Sequence, residues 1–348
     1  MATNDVIGWF ADIGLNDRPT VGGKGGSLGE LQRAGIAVPP GFVVKTAAFE
    51  RFIVKLEREF PIRSRIEALE PDALDEIRAC CNEMRAKIEA AALPPDVLAE
   101  ISAAHSVLCG GAAPVAVRSS ATTEDAVDAS FAGLQDTYLW VTSLAEVLHK
   151  VRSCWASLYS VESVSYRRKK GFPEAGVAMG VVVQKMVNAR TAGVMFTRSP
   201  LTGDRSVITI EGAWGLGSAV VGGEVTPDRW VVGKITGVIS VREISDKHIQ
   251  HVPAAGGGIE SVALAAEQRQ AACLSDAELQ ALRQIGRQVE RHYGRPQDIE
   301  WAVEQGSNEI LLLQSRPETV WSAKDAAPVA RAAADPLSHV MSIFGGQK

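Results

Sequence analysis

Three polar side chains near the C-terminal end of the chain have types and spacing that suit phosphoryl chemistry: Glu300, Gln314 and Arg316. They fall in two runs, "DIEWAV" and "EILLLQSR", that read as strands over Asp298 to Val303 and Glu309 to Gln314, joined by loop 304–308. Paired as a hairpin, these strands set Glu300 across from Leu312 and diagonal to Gln314. Alternation then puts Glu300, Gln314 and Arg316 on one face, with Ile299, Trp301 and Leu313 on the other. A carboxylate and an amide oxygen are hard donors for Mg²⁺, and a guanidinium matches phosphate oxygens. The same residues could equally be the solvated polar face of an edge hairpin.

A second candidate is Lys24, set among glycines in "VGGKGGSLGEL" just before a helix-like run. A glycine-rich entry to a helix exposes backbone N–H groups to phosphate. It is not a P-loop: GxxxxGK[ST] would need Gly at 18 and Ser or Thr at 25, where Arg18 and Gly25 stand. In "EGAWGLGSAVVGGE", Gly215 and Gly217 begin a GxGxxG that fails at Val220, which leaves a tight turn or a loop over a nucleotide. In "SFAGLQDT", Gly133 lets backbone amides approach an anion and Thr137 offers a hydroxyl. His248 and His251 form an HxxH without further ligands at metal spacing, and the other four histidines carry no assigned chemistry.

These residues need elements to hold them. A short helix is expected over 27–34, ended by Gly35, and "IAVPPGFVV" reads as a strand broken at Pro39, Pro40 and Gly41. Charged helical stretches follow around 46–60 and 72–92, and then a short strand, Val115 to Val117, delivers Arg118 into the turn-forming "RSSATTED". Leu144, Leu148, Val151, Trp155 and Leu158 mark one amphipathic helix closing at "YRRKKG". Strand-like runs then suggest one sheet covering 176–213, with a second lobe beginning near Pro173. Ser275 and Glu278 form a capping box ahead of a helix stopped by Gly294 and Pro296.

Composition bounds the rest. The 348 residues are 46% hydrophobic and 22% charged, enough for two lobes of a globular protein. A formal net charge of -5 and a pI near 5.8 argue against nucleic acid as partner, so any phosphate must meet a local cluster of Lys and Arg. Five cysteines without CxxC spacing suggest reduced thiols, and no apolar run reaches the length of a membrane span; a cytoplasmic protein is expected.

Taken in order, "VGGKGGSLGEL", "AVRSSATTEDAVDASFAGLQDTYL", "GVMFTRSP", "AWGLGSAVVGGEVTPD", "HYGRPQDIEWAV" and "LLLQSRPETV" resemble the N-terminal nucleotide-binding domain of the phosphoenolpyruvate synthase and pyruvate phosphate dikinase family. The resemblance covers roughly residues 8–321. It implies an α+β ATP-grasp fold, with lobes 1–173 and 174–320 gripping ATP and Mg²⁺; the tail, 321–348, lies past it and reads either as a docking segment or as a disordered remnant. It implies that Lys24 and Arg118 hold the phosphates, that the loop bearing Gly133 and Thr137 covers them, and that Gln184, Lys185 and Met186 form the adenine hinge. Glu300 and Gln314 would coordinate Mg²⁺, and Arg316 would stabilise the transferring phosphoryl group.

No histidine here sits in the Gly/Thr/Cys-rich context of the family's phosphate carrier, so the acceptor histidine is expected on a separate subunit. The leading expectation is an ATP-binding subunit of a split dikinase-type phosphotransferase that yields AMP and phosphate, with phenol as final acceptor, as in phenylphosphate synthase. A split or truncated phosphoenolpyruvate synthase and a non-catalytic ATP sensor are the alternatives.

Overall fold

A computed structural model describes residues 5–110, 113–122 and 136–325. The first lobe opens with β1 (Ile7–Trp9), α1 (Arg18–Arg33) and β2 (Gly41–Val44). Four helices follow: α2 (Thr46–Glu57), α3 (Ile62–Glu67), α4 (Leu74–Ala90) and α5 (Pro95–Cys109). Then come β3 (Val115–Ala121), β4 (Thr137–Val141), α6 (Leu144–Ser157), α7 (Val161–Lys170) and β5 (Met179–Lys185). The strands form one antiparallel sheet in the order β1-β2-β5-β3-β4.

Side-chain alternation explains why this sheet is buried on both faces. Val181 and Val183 of β5 and Phe42 and Val44 of β2 point into a core built with α2 and α4 to α6, whereas Val182 and Val43 point the other way, onto Val21 and Leu28 of α1. Each such fully buried side chain contributes about 1.5–3 kcal/mol relative to exposure.

The second lobe runs through β6 (Ala189–Phe196), β7 (Val207–Trp214), α8 (Ser218–Val221), β8 (Asp228–Gly233) and β9 (Ile239–Glu243). It continues with β10 (Ile249–Pro253), β11 (Ile259–Ala263), α9 (Ala266–Arg269), α10 (Asp276–Tyr293), β12 (Gln297–Glu304), β13 (Ile310–Pro317) and α11 (Val320–Asp325). Its six-stranded antiparallel sheet has the order β13-β12-β6-β7-β8-β9, and β10 with β11 makes a separate hairpin. Helix α10 starts at the expected capping box, with the Ser275 hydroxyl accepting from the Glu278 amide, and ends at left-handed Gly294. Its Leu279, Leu282 and Val289 cover one sheet face together with Trp230, Ile299 and Trp301. The opposite face looks into a cleft. The molecule is thus α+β and two-lobed, each lobe built on its own antiparallel sheet.

Several expectations change. The strand at 179–185 belongs to the first sheet, between β2 and β3, because its near-continuous valines suit a centre buried on both faces; the first lobe therefore runs past 173 to Lys185. The helix expected at 27–34 begins at Arg18, and the single helix from Leu144 is two, broken between Ser157 and Val161. Residues 326–348 of the tail and Gly133 lie outside the described residues.

Helix α1 fastens the lobes together. The Ser27 hydroxyl donates to the Ser315 carbonyl at 2.6 Å, the Leu312 amide to the Ala37 carbonyl at 2.9 Å and the Gln288 side-chain amide to the Ala34 carbonyl at 3.0 Å. His292 Nε2 lies 2.7 Å from Glu30 Oε1, joining α10 to α1.

Candidate active site

The cleft between the two sheets has a volume of about 1470 Å³. Lys24, Arg118, Thr137, Gln184, Lys185, Met186, Glu300, Gln314 and Arg316 all line it, so the described candidates from distant parts of the chain converge on one space.

Lys24 is placed by a break in α1. Gly22 adopts φ 74°, and a side chain there would run into the carbonyl and hydroxyl of Ser120. That same hydroxyl donates to the Val21 carbonyl at 2.8 Å and accepts from the Gly25 amide at 3.1 Å, pinning the break against β3. Helix geometry restarts beyond Gly22, which sets Lys24 in its first turn, 6% exposed and facing the cleft.

Arg118 comes from β3, opposite Thr137 on β4. Its Nη2 donates to Glu300 Oε2 at 3.0 Å and to Gln314 Oε1 at 2.7 Å, while Nη1 donates to the Leu313 carbonyl at 2.9 Å. The guanidinium of the first lobe thus spans the cleft and rests on the hairpin of the second. Among the described residues its buried Nε has no hydrogen-bond partner.

The hairpin differs from the expected register in an informative way. Glu300 pairs directly with Gln314, and a bulge then sets Trp301 opposite Leu312. Leu313 is the extra residue, so it lines the cleft instead of joining Ile299 and Trp301 in the core, where Leu312 stands. The bulge brings the carboxylate and the amide oxygen closer than the diagonal would.

The alternation that exposes Glu300 also exposes Asp298, which the sequence reading left out although it sits two residues earlier on the same strand. Asp298 pairs across β12 and β13 with Arg316, whose Nε is 3.3 Å from its carboxylate. Burial pushes the Asp298 carboxyl up to about 6, the charge of Arg316 pulls it down and that of Glu318 adds to the rise. Arg316 itself is 59% exposed at its side chain, at the cleft mouth.

The residues expected at the hinge, Gln184, Lys185 and Met186, are held by backbone carbonyls. Lys185 donates its amide to the Pro40 carbonyl and Met186 to the Pro114 carbonyl, both at 2.9 Å, and the Gln184 side chain donates to the Pro39 carbonyl at 3.1 Å. The kinked "VPPG" turn is therefore the buttress of this strand. Those donors are already engaged within the protein.

The donor set suits Mg²⁺. The cation takes oxygen ligands and is commonly bound through one or two carboxylates plus substrate phosphates. Among the described residues no cluster of three or more His, Cys, Asp or Glu side chains could hold a metal, whereas Glu300, Gln314 and Asp298 supply oxygen donors beside cations for phosphate. His251 is instead bonded at Nδ1 to the Ser218 hydroxyl (2.8 Å) and at Nε2 to Glu224 (3.3 Å). All five cysteines are free and buried, and no helix among the described residues is long and apolar enough to cross a membrane.

Residues 18–335 match the family model for the pyruvate phosphate dikinase AMP/ATP-binding domain. The chain belongs to that family. The phosphoenolpyruvate synthase of Pyrococcus furiosus is 38% identical over 355 aligned residues, covering 90% of this chain and 44% of that protein. The probable phosphoenolpyruvate synthases of Archaeoglobus fulgidus and Methanothermobacter thermautotrophicus are 44% and 40% identical, covering 89% and 90% of this chain but 41% and 46% of their own lengths. This dikinase-family domain therefore spans less than half the length of those curated relatives. Among solved structures, the D-alanyl-alanine synthetase A of Vibrio cholerae aligns over 71% of this chain at 14% identity with a TM-score of 0.24, too loose a match to weigh.

Proposed function

We propose that this chain binds ATP with Mg²⁺ and supplies phosphate to a histidine outside its described residues, as the nucleotide-binding part of a dikinase-type phosphotransferase that releases AMP and phosphate. The observation that carries the reading is the Arg118 fork, which ties a cation of one lobe to the carboxylate and amide oxygen of the other inside a cleft also lined by Lys24. Phosphoryl transfer needs positioning and charge neutralisation more than covalent help from the protein, and these residue types supply both.

In this reading Lys24 and Arg118 hold phosphate oxygens, Thr137 adds a hydroxyl, and Arg316 at the mouth meets the group in transfer. Glu300 and Gln314, with Asp298 beside them, would hold Mg²⁺, which when bound neutralises phosphate charge. Gln184, Lys185 and Met186 border the base. Among the described residues no histidine lines the cleft, which supports an acceptor histidine carried elsewhere, on a partner subunit or a further domain. Five free buried thiols support a cytoplasmic setting.

The relatives' names support pyruvate as the final acceptor, which makes the chain a phosphoenolpyruvate synthase component. Phenol, the acceptor expected from the sequence, is the other arm of the assay and would make it the ATP-binding subunit of phenylphosphate synthase. The test incubates the chain with a carrier-histidine protein and ATP labelled with ³²P at both β and γ positions, then adds pyruvate or phenol. Acid-labile label on the carrier and equimolar AMP support the reading; ATP binding without AMP formation or label leaves an ATP sensor and rejects the enzyme.

A further inference from the structure

Two non-glycine residues have positive φ among the described residues, Asn308 and Trp140, both at 56°. Asn308 lies in the turn between β12 and β13, where asparagine is at ease in the left-handed region. A tryptophan there is a different matter, since its Cβ crowds the following carbonyl and nothing in the side chain compensates. The fold holds it in place with a bulge: between the pairs Val115 with Val141 and Val117 with Tyr138, Leu139 and Trp140 together oppose Ala116. Bulges re-aim side chains, and strained residues of this kind cluster at functional sites.

Trp140 is re-aimed into the cleft. It lines the cavity and packs against the apolar cluster of Leu216, Ala192 and Ala302, which Met186, Ile259 and Leu313 also cover. Its backbone is also clamped from the second lobe, because the Gly258 amide at the tip of the β10–β11 hairpin donates to the Trp140 carbonyl at 3.0 Å. Thr137, on the phosphate side, is three residues away along β4, a strand distance of about 10 Å. The amides of Lys185 and Met186 are engaged with Pro40 and Pro114, so a base entering here finds apolar and aromatic walls before it finds free hinge donors at those two positions.

We propose that Trp140 is the stacking wall for the purine ring of the nucleotide and a determinant of base affinity. The inference rests on the ATP reading given above and adds a residue to it. An indole face offers a base a large contact at low entropic cost, and base-on-aromatic stacking is a recurrent source of affinity that requires no hydrogen-bond donor.

The test is calorimetry on the full chain with Mg-ATP and with magnesium tripolyphosphate, which shares the phosphates and lacks the base. Trp140→Asn removes the ring while suiting the left-handed backbone, so it should melt at or above the wild-type temperature. Trp140→Phe keeps a ring and guards against a misfolded Asn variant. The expected result is Mg-ATP affinity reduced at least tenfold in Trp140→Asn and within about threefold of wild type in Trp140→Phe, with tripolyphosphate unchanged in both. Equal ATP affinity in wild type and Trp140→Asn overturns the stacking role and leaves the ATP reading standing. A wild-type chain that binds tripolyphosphate and no better with ATP overturns the stacking role and the ATP reading together. Quenching of tryptophan fluorescence by ATP that persists in Trp140→Phe also counts against it.

Discussion

Nη2 of Arg118 donates at once to Glu300 and Gln314, at 3.0 and 2.7 Å, across the two sheets of the molecule. With Nη1 on the Leu313 carbonyl, both terminal nitrogens of the fork are anchored on the hairpin. A lysine carries the charge but cannot reproduce a planar fork. Arg118→Lys should therefore lower ATP-to-AMP turnover, measured with the carrier partner, by about 10²–10³-fold, the usual cost of losing one preorganised cation or donor. Turnover within threefold of wild type would remove Arg118 from the phosphate site.

Glu300 is the carboxylate on which Arg118 rests and the proposed ligand with a formal charge beside Gln314. Glu300→Gln keeps the shape and removes the charge. Calorimetry in magnesium should show Mg-ATP affinity reduced about tenfold or more, while ATP titrated in EDTA should bind wild type and variant alike. Equal losses in both buffers would assign Glu300 to fold and not to metal.

Gly22 fixes the break that aims Lys24. Gly22→Ala combines a left-handed φ with a collision against Ser120, and should cost about 2–4 kcal/mol in denaturant unfolding. Ser120→Ala removes the hydroxyl that joins Val21 and Gly25 and should cost about 1 kcal/mol. A Gly22→Ala protein as stable as wild type would show that the backbone can pass this point another way.

Glu30 gives the lobe contact a pH dependence. Burial alone would raise its pKa, but the hydrogen bond to His292, the Leu15 amide and the charges of His292 and Arg33 outweigh that and hold it below 4.5. A carboxylate depressed in the folded state contributes stability that is present above 4.5 and is lost as pH falls through the folded value. The melting-temperature gap between wild type and Glu30→Gln should accordingly be open at about pH 6 and narrow as the pH falls below the ordinary carboxylate range. A gap independent of pH would contradict the ionic nature of the contact.

Much of the site was legible because strand alternation is a short-range rule. Glu300, Gln314 and Arg316 could be set on one face from their own hairpin, and Lys24 and Arg118 stood out by residue type and glycine or hydroxyl context. The register was not legible: a single bulge made Gln314 the direct partner of Glu300 and turned Leu313 toward the cleft. Asp298 was within reach of the same rule, being two residues from Glu300. Trp140 was not, since an apolar residue in a strand-like run gives no sign of a left-handed backbone. The valines of β5 signalled a buried strand without saying which sheet would bury it.

By itself the sequence determined residue chemistry, periodicity and the order of the glycine, hydroxyl and carboxylate blocks, because these depend on a few neighbouring positions. Only the tertiary structure decided that β5 takes the centre of the first sheet, that Arg118 reaches 182 residues along the chain to Glu300, and that Trp140 lines the cleft. Those relations follow from packing two sheets against a shared helix, α1, and packing energy is a sum over contacts that no local stretch of residues contains.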